Sequence, residues 1–309
     1  VLVPDRILRW HLAHHEASGR WMRGTELREV VRHYLGKDGE RREIVFPGKA
    51  RATDLPLRVM TYNIHSCVGL DGRIRPERIA RVINSCDPDI VAVQEVDAHR
   101  PRSGGHDQAK VIADHLRMDH AFYAVFEEAP EKYGLAIFSQ FPFTLVKTEH
   151  LTPAHSGRRE ARGAMWATFT SLPGVAKLHL INTHFGLGRE ERRQQVRRIL
   201  APDWLGGIPG DEPVILCGDL NSRERSFVWR SLATRLCDVQ TTLPGHRARA
   251  TFPTLRALLR IDHLFVSRHL SVERVEVPRT ATSIAASDHF PLGAELSLHP
   301  QDENDGTIL

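Results

Sequence analysis

The residues best suited to chemistry stand at the end of an apolar run. Pro213-Val-Ile-Leu-Cys-Gly-Asp-Leu-Asn-Ser222 is apolar up to Asp219 and Asn221, which lie two residues apart. Alternation along an extended chain turns both side chains to one side. A carboxylate and an amide held together there can orient and deprotonate a water, which suits attack on phosphorus. A lone pair of this kind is more often a turn, because Asp and Asn are ordinary turn formers. Recurrence changes that reading. The strand-like runs Leu57-Arg-Val-Met-Thr-Tyr-Asn-Ile-His65, Asp89-Ile-Val-Ala-Val-Gln-Glu-Val-Asp97 and Val175-Ala-Lys-Leu-His-Leu-Ile-Asn-Thr-His184 end in the same polar fashion. Arg260-Ile-Asp-His-Leu-Phe-Val-Ser267 and Ser287-Asp-His-Phe-Pro-Leu292 each offer an acid followed by a histidine. Read together as six polar strand ends, these blocks imply one site gathered from distant segments.

In this order, the blocks resemble the endonuclease/exonuclease/phosphatase superfamily of metal-dependent phosphoesterases, over about residues 57 to 298. The resemblance implies metal-binding positions at Asn63 and Glu95, a first catalytic histidine at His184 and a water-activating pair at Asp219 and Asn221. It further implies a terminal acid at Asp262, a metal-side acid at Asp288 and a second catalytic histidine at His289. Arg162, in Glu160-Ala-Arg-Gly-Ala164, falls where many members keep a phosphate-contacting arginine.

Chemistry divides naturally among these groups. Glu95, Asp288 and the Asn63 amide form an oxygen-rich set suited to Mg²⁺ or Mn²⁺. Asp219 is the candidate general base, with Asn221 orienting water or phosphate. The metal and Arg162 would neutralise charge on the phosphoryl oxygens. Asp262 would fix the tautomer of His289, and His184 supplies a second imidazole; the residue types leave open which histidine is the acid. His65, His99, His106 and His263 read as loop or supporting groups, and Trp166, Phe169 and Phe265 as core. Arg158 and Arg159 read as solvated charge.

The expected activity is hydrolysis of a small or lipid-linked phosphodiester. A DNase I-like nuclease and a non-catalytic phosphate-binding module are the alternatives. Residues 1–58 hold 12 Lys and Arg against 8 Asp and Glu, so the chain's net charge of +4 lies there and the remainder is neutral. That neutrality disfavours a dedicated nuclease, which usually shows a basic footprint. The +4 of residues 1–58 suggests that the extension docks or tethers the enzyme at an anionic membrane surface, the alternative being that Leu27, Val30, Val31 and Tyr34 pack as an extra structural layer. Neither a P-loop nor a Gly-x-Ser-x-Gly motif occurs. No apolar run approaches the roughly 20 residues of a membrane span. Cys67, Cys86, Cys217 and Cys237 lack Cys-x-x-Cys spacing and read as reduced thiols in a cytoplasmic setting. The chain opens on Val1, so the lack of a targeting segment says little.

The elements that must position these groups follow from hydrophobic period. Helical patterns at 75–86, 106–118, 189–200 and 227–237 alternate with strand patterns. Adjacent strand-like runs at 133–139, 143–151 and 164–171 have no helices between them. That mixture predicts an α+β fold with two mixed sheets packed as a sandwich and helices outside, the four-layer DNase I-like arrangement that the resemblance implies. Residues 1–56 read as a helical extension and linker, with helical patterns at 5–17 and 25–35, and 299–309 as a flexible tail. His11, His14 and His15 read as a solvated helix face.

Overall fold

The apolar runs that carry the polar ends form the centres of two sheets. The computed structural model describes residues 56–151, 160–172 and 176–298, all within one compact unit, Thr53–Leu309. The N-terminal extension, Arg158, Arg159 and the tail lie outside the described residues.

In the first sheet, β1 (Leu57–Asn63) runs parallel to β2 (Ile90–Ala98). β3 (Asp119–Glu128) and β4 (Glu131–Ser139) extend it on one side. In the second sheet, β5 (Thr144–His150) and β6 (Gly163–Phe169) lead into β7 (Leu178–His184), which runs parallel to β8 (Val214–Asp219). The short β9 (Cys237–Asp238) and β10 (Asp262–Val266) complete that sheet. β11 (Leu270–Glu276) and β12 (Leu292–Leu298) return the chain to the first. The orders are β11-β12-β1-β2-β4-β3 and β5-β6-β7-β8-β10-β9. Both sheets are mixed, as the sequence pattern predicts.

The inner faces meet through Val59, Ile90, Ile137, Met165, Leu180, Ile215 and Leu264, all fully buried. Burial of each such side chain is worth about 1.5–3 kcal/mol. Helices α1 (Pro76–Cys86) and α2 (Gln108–Leu116) cover the outer face of the first sheet through Ile79, Val82, Ile83 and Ile112. Pro76 starts α1 and Asp107 caps α2 by accepting from the Lys110 N–H. Helices α3 (Arg189–Ile199) and α4 (Phe227–Leu232) cover the second through Val196, Ile199, Val228 and Leu232. Two short helices, α5 (Val239–Thr242) and α6 (Ala281–Ala286), fill connections. The result is helix, sheet, sheet, helix.

A polar link crosses the middle of the sandwich. Gln94 donates to the Asn182 side chain at 2.8 Å, and Asn182 donates to the Val93 and Ala136 carbonyls. Both side chains are wholly buried, so the link joins β2 to β7 across the apolar interior.

Two expectations need correction. The helical pattern at 227–237 stops at Leu232, because Cys237 and Asp238 pair with β10 instead. Asp238 there accepts from Trp229 and Arg260 and caps the next helix by accepting from the Gln240 N–H. Asp262 and Asp288 also stand at or before strand starts rather than at strand ends.

Candidate active site

Topology alone brings the polar blocks to one rim. β1 and β2 are parallel, so Asn63 and Glu95 emerge at the same end. β7 and β8 are parallel, and His184 is the register partner of Asp219. β10 runs antiparallel to β8, which puts its first residue, Asp262, opposite Asp219. β12 runs antiparallel to β1 with Leu292 opposite Thr61, so the preceding Ser287-Asp-His loop returns to Asn63. Ser287 fastens that loop by donating to the Asn63 carbonyl at 2.9 Å.

Local backbone devices aim the side chains. Glu95 is the extra residue of a bulge between β2 and β4, with φ of 61°, a left-handed conformation that turns its carboxylate into the cleft. Asn221 is also left-handed, at φ 46°, and its N–H donates to Asp219 Oδ1 at 2.8 Å. His65, Ser66 and Cys67 form three consecutive left-handed residues. Such backbone costs roughly 1–2 kcal/mol per residue. Gln108 holds the turn by donating to the Ser66 carbonyl at 2.6 Å.

All nine sequence-predicted site residues converge. A cleft of about 830 Å³ is lined by Glu95, Arg162, His184, Asp219, Asn221, Asp288 and His289. Asn63 and Asp262 stand behind this lining and hold it. The Asn63 amide donates to Glu95 Oε1 at 2.9 Å and to Asp219 Oδ2 at 3.1 Å, while its oxygen accepts from the His65 N–H. With the amide turned this way, Asn63 spaces the two carboxylates. Asp262 Oδ2 meets His289 Nδ1 at 2.9 Å. The other face of His289, Nε2, lies 3.8 Å from Asp219 Oδ2. His184 Nε2 lies 3.4 Å from that same oxygen and 4.0 Å from Glu95 Oε1. Asn221 donates to the Phe185 carbonyl at 2.8 Å and lies 3.3 Å from His184 Nε2.

Electrostatics follow from this crowding. Burial works against the Asp219 charge, but the His184 hydrogen bond and the charge of His289 outweigh it and hold the carboxyl well below its usual range. Burial likewise opposes charge on His289, yet the carboxylates of Asp262, Asp219 and Asp288 raise its pKa to about 10. His289 is therefore an imidazolium held between acids. Arg162 is buried and anchored, its Nε donating to the Phe185 carbonyl at 3.1 Å and its Nη1 lying 2.8 Å from Glu160.

The residues fit a hard divalent cation. Glu95 and Asp288 present carboxylate oxygens to the cleft, and among the described residues no thiol lines it. Asp219, Asp262 and His289 also place ligand-type atoms within 4.8 Å of one another. Their contacts are those of a carboxylate–imidazole–carboxylate chain, so we read that trio as a proton-holding unit.

Several residues at the rim or buried behind it escape sequence reasoning. Arg102 lines the cleft, clamped on both oxygens of Asp97 at 2.9 Å. Tyr133 accepts from Arg162 at 3.3 Å. His65, read as a loop residue, lines the cleft with Nδ1 3.7 Å from Asp288 Oδ1. Only proximity in the fold identifies these three. His263 has the supporting role expected, between Asp238 and the Ser222 carbonyl, and Phe169 and Phe265 are core.

This fold and this rim of acids, amides and histidines define a phosphoesterase of the two-sheet sandwich class. The profile of the Endonuclease/Exonuclease/phosphatase family matches residues 60–289, and the chain belongs to that family. Among curated proteins it is similar to the uncharacterized protein YbhP of Escherichia coli (strain K12), 29% identical over 254 residues, covering 78% of this chain and 96% of YbhP. Among solved structures it is similar to an endonuclease/exonuclease/phosphatase from Beutenbergia cavernae, with 25% identity, TM-score 0.64, and coverage of 79% of this chain and 72% of that one. The fold also matches the mannosyl-6-phosphatase Bt3783 of Bacteroides thetaiotaomicron, at 23% identity and TM-score 0.64, over 78% of this chain and all of that one (100%). At the level of the family, the chain is a hydrolytic phosphoesterase.

Proposed function

We propose that this chain is a Mg²⁺- or Mn²⁺-dependent phosphodiesterase that acts on a small or lipid-linked phosphodiester. The observation that carries the reading is the single cleft in which Asp219, Asn221, His184 and His289 face Glu95 and Asp288. The cleft, about 830 Å³, lies within the usual range for a small-molecule site. Leu187 lines it, as do Phe252, Leu259 and Ile261. Apolar lining from separate segments suits organic groups attached to the phosphorus, which supports a diester over a bare monoester.

Glu95 and Asp288, with Asn63 beside them, would hold the cation, which supplies charge neutralisation at the phosphoryl oxygens. Asp219 and Asn221 hold the attacking water, and Asp219, ionised throughout the neutral range, takes its proton. His289 and Arg162 serve as fixed cations at the phosphate. The oxygen of the breaking P–O bond takes a proton from His184.

A substrate panel tests this reading. The full chain with Mg²⁺ or Mn²⁺ should hydrolyse a bis-aryl phosphodiester and phospholipid faster than the corresponding monoester or plasmid DNA. Preference for the monoester, or for DNA, would replace the diester reading with a phosphatase or a nuclease. Tight phosphate binding with no turnover on any substrate would indicate a binding module.

A further inference from the structure

Exposed leucines are common singly, but here the most exposed ones all belong to segments that line the cleft. Among the described residues, Leu187, Leu255 and Leu258 are 75%, 74% and 73% exposed, while the other exposed large apolar side chains lie between 36% and 48%. All three lie in segments that reach the cleft. Leu187 lines it directly, three residues after His184. Leu255 and Leu258 project from a closed turn whose ends, Phe252 and Leu259, line it as well.

That turn is bolted to the catalytic loop. The Thr254 N–H donates to the Asp288 carbonyl at 2.9 Å, and its hydroxyl donates to the Ser287 carbonyl at 3.1 Å. The Phe252 ring lies 4.7 Å from the His289 ring. Whatever the leucines touch is thereby held at a fixed position from Asp288 and His289.

Charge in the same connection has one sign. Between Asp238 and Asp262 the chain carries Arg247, Arg249, Arg256 and Arg260 and no acid. Arg260 is buried and used by Asp238 and Glu224; Arg247, Arg249 and Arg256 are exposed. Aliphatic side chains interleaved with arginines match the apolar and anionic layers of a phospholipid surface. Single-stranded nucleic acid would instead call for aromatic platforms on which bases stack.

We infer that this rim is an interfacial docking surface for an anionic phospholipid bilayer. Leu187, Leu255 and Leu258 enter the boundary between headgroups and acyl chains, and the arginines meet anionic headgroups. The inference deepens the phosphodiesterase reading and rests on it: the substrate is a phospholipid whose phosphodiester is taken from the membrane plane while its apolar part follows Phe252 and Leu259.

The test is sedimentation of the full chain with phosphatidylcholine vesicles, with and without phosphatidylglycerol, at two salt concentrations. Wild type should bind the anionic vesicles and release with salt. Leu255→Ser combined with Leu258→Ser, and separately Arg256→Glu, should weaken binding by about tenfold or more while melting temperature and hydrolysis of a soluble bis-aryl phosphodiester stay unchanged. No binding by wild type would overturn the inference. So would variants that bind as wild type does, which would place the contact elsewhere, for example in residues 1–58, and so would variants whose lost affinity is for plasmid DNA rather than vesicles. Failure of wild type to cleave the soluble diester would sink the phosphodiesterase reading instead, and leave the vesicle contrast to decide the docking surface.

Discussion

Asp262 faces Asp219 across the antiparallel ladder of β10 and β8, and the His289 imidazole reaches both carboxylates, at 2.9 Å and 3.8 Å. A register fixed by backbone pairing thus sets the geometry of an acid–imidazole–acid chain. The arrangement makes Asp262 a positioning residue that acts through His289.

Asp262→Asn and His289→Ala should each lower kcat by about 10²-fold or more, the usual scale for a positioned proton donor or cation. The double variant should be little worse than His289→Ala alone. Steady-state kinetics on all four proteins measures the coupling, and additive effects would break the proposed pairing.

Gly218 is required by its surroundings. Its φ is +144°, and a Cβ there would stand 1.8 Å from the Thr183 carbonyl oxygen. Gly218→Ala should therefore force β8 away from β7, next to both Asp219 and His184, and destabilise the protein by about 1–3 kcal/mol. Chemical denaturation reads the cost; a variant as stable as wild type, with full activity, would show that the strands yield freely.

The Gln94–Asn182 link should matter to stability and to the site together. Asn182→Ala takes the side-chain donor from the Val93 and Ala136 carbonyls and one of three acceptors from Gln94, which keeps Thr61 and the Ala92 carbonyl, at a cost of about 1–3 kcal/mol. Because Gln94 adjoins the Glu95 bulge, activity should fall more than the loss of folded protein explains. Comparison of the unfolding midpoint with activity per folded molecule checks this.

Asp89 gives a pH signature outside the cleft. Burial raises its carboxyl from 3.8 to about 6, against the opposing Arg58 N–H bond and charge. A folded pKa above the unfolded one favours the fold at low pH, and that contribution is lost as pH rises from about 4 through about 6. Asp89→Asn keeps an acceptor for the Arg58 N–H, which Asp89 Oδ2 binds at 2.8 Å. The variant should gain on the order of 1–2 kcal/mol over wild type above pH 6 and nothing near pH 4. Denaturation at both pH values measures the difference; an equal difference at the two would contradict the assignment.

Much of the fold is legible because its central strands are apolar runs that end abruptly in polar residues. Leu178–His184 and Val214–Asp219 are buried at every position, so their pattern is unmistakable. β3 is harder, since Asp119–Glu128 is only partly covered and mixes acids with aromatics. The α4 boundary is misread because Asp238 is committed to long-range partners that no local pattern reveals. At the site, residue types announce Asp219, His184 and His289. The turned amide of Asn63, the Arg102–Asp97 clamp and the approach of His65 to Asp288 arise from chain segments that meet only in space.

The central claim is that one cation-loaded cleft hydrolyses a phosphodiester, and Glu95 tests it most directly. Initial rates on a bis-aryl phosphodiester should be measured for wild type and Glu95→Gln across a Mg²⁺ titration and in excess chelator. Wild type should be active with Mg²⁺ and silent in chelator. Glu95→Gln should stay folded, need far more metal and lose at least about 10²-fold in rate. Full wild-type activity in chelator, or an unchanged metal titration in Glu95→Gln, would contradict the account.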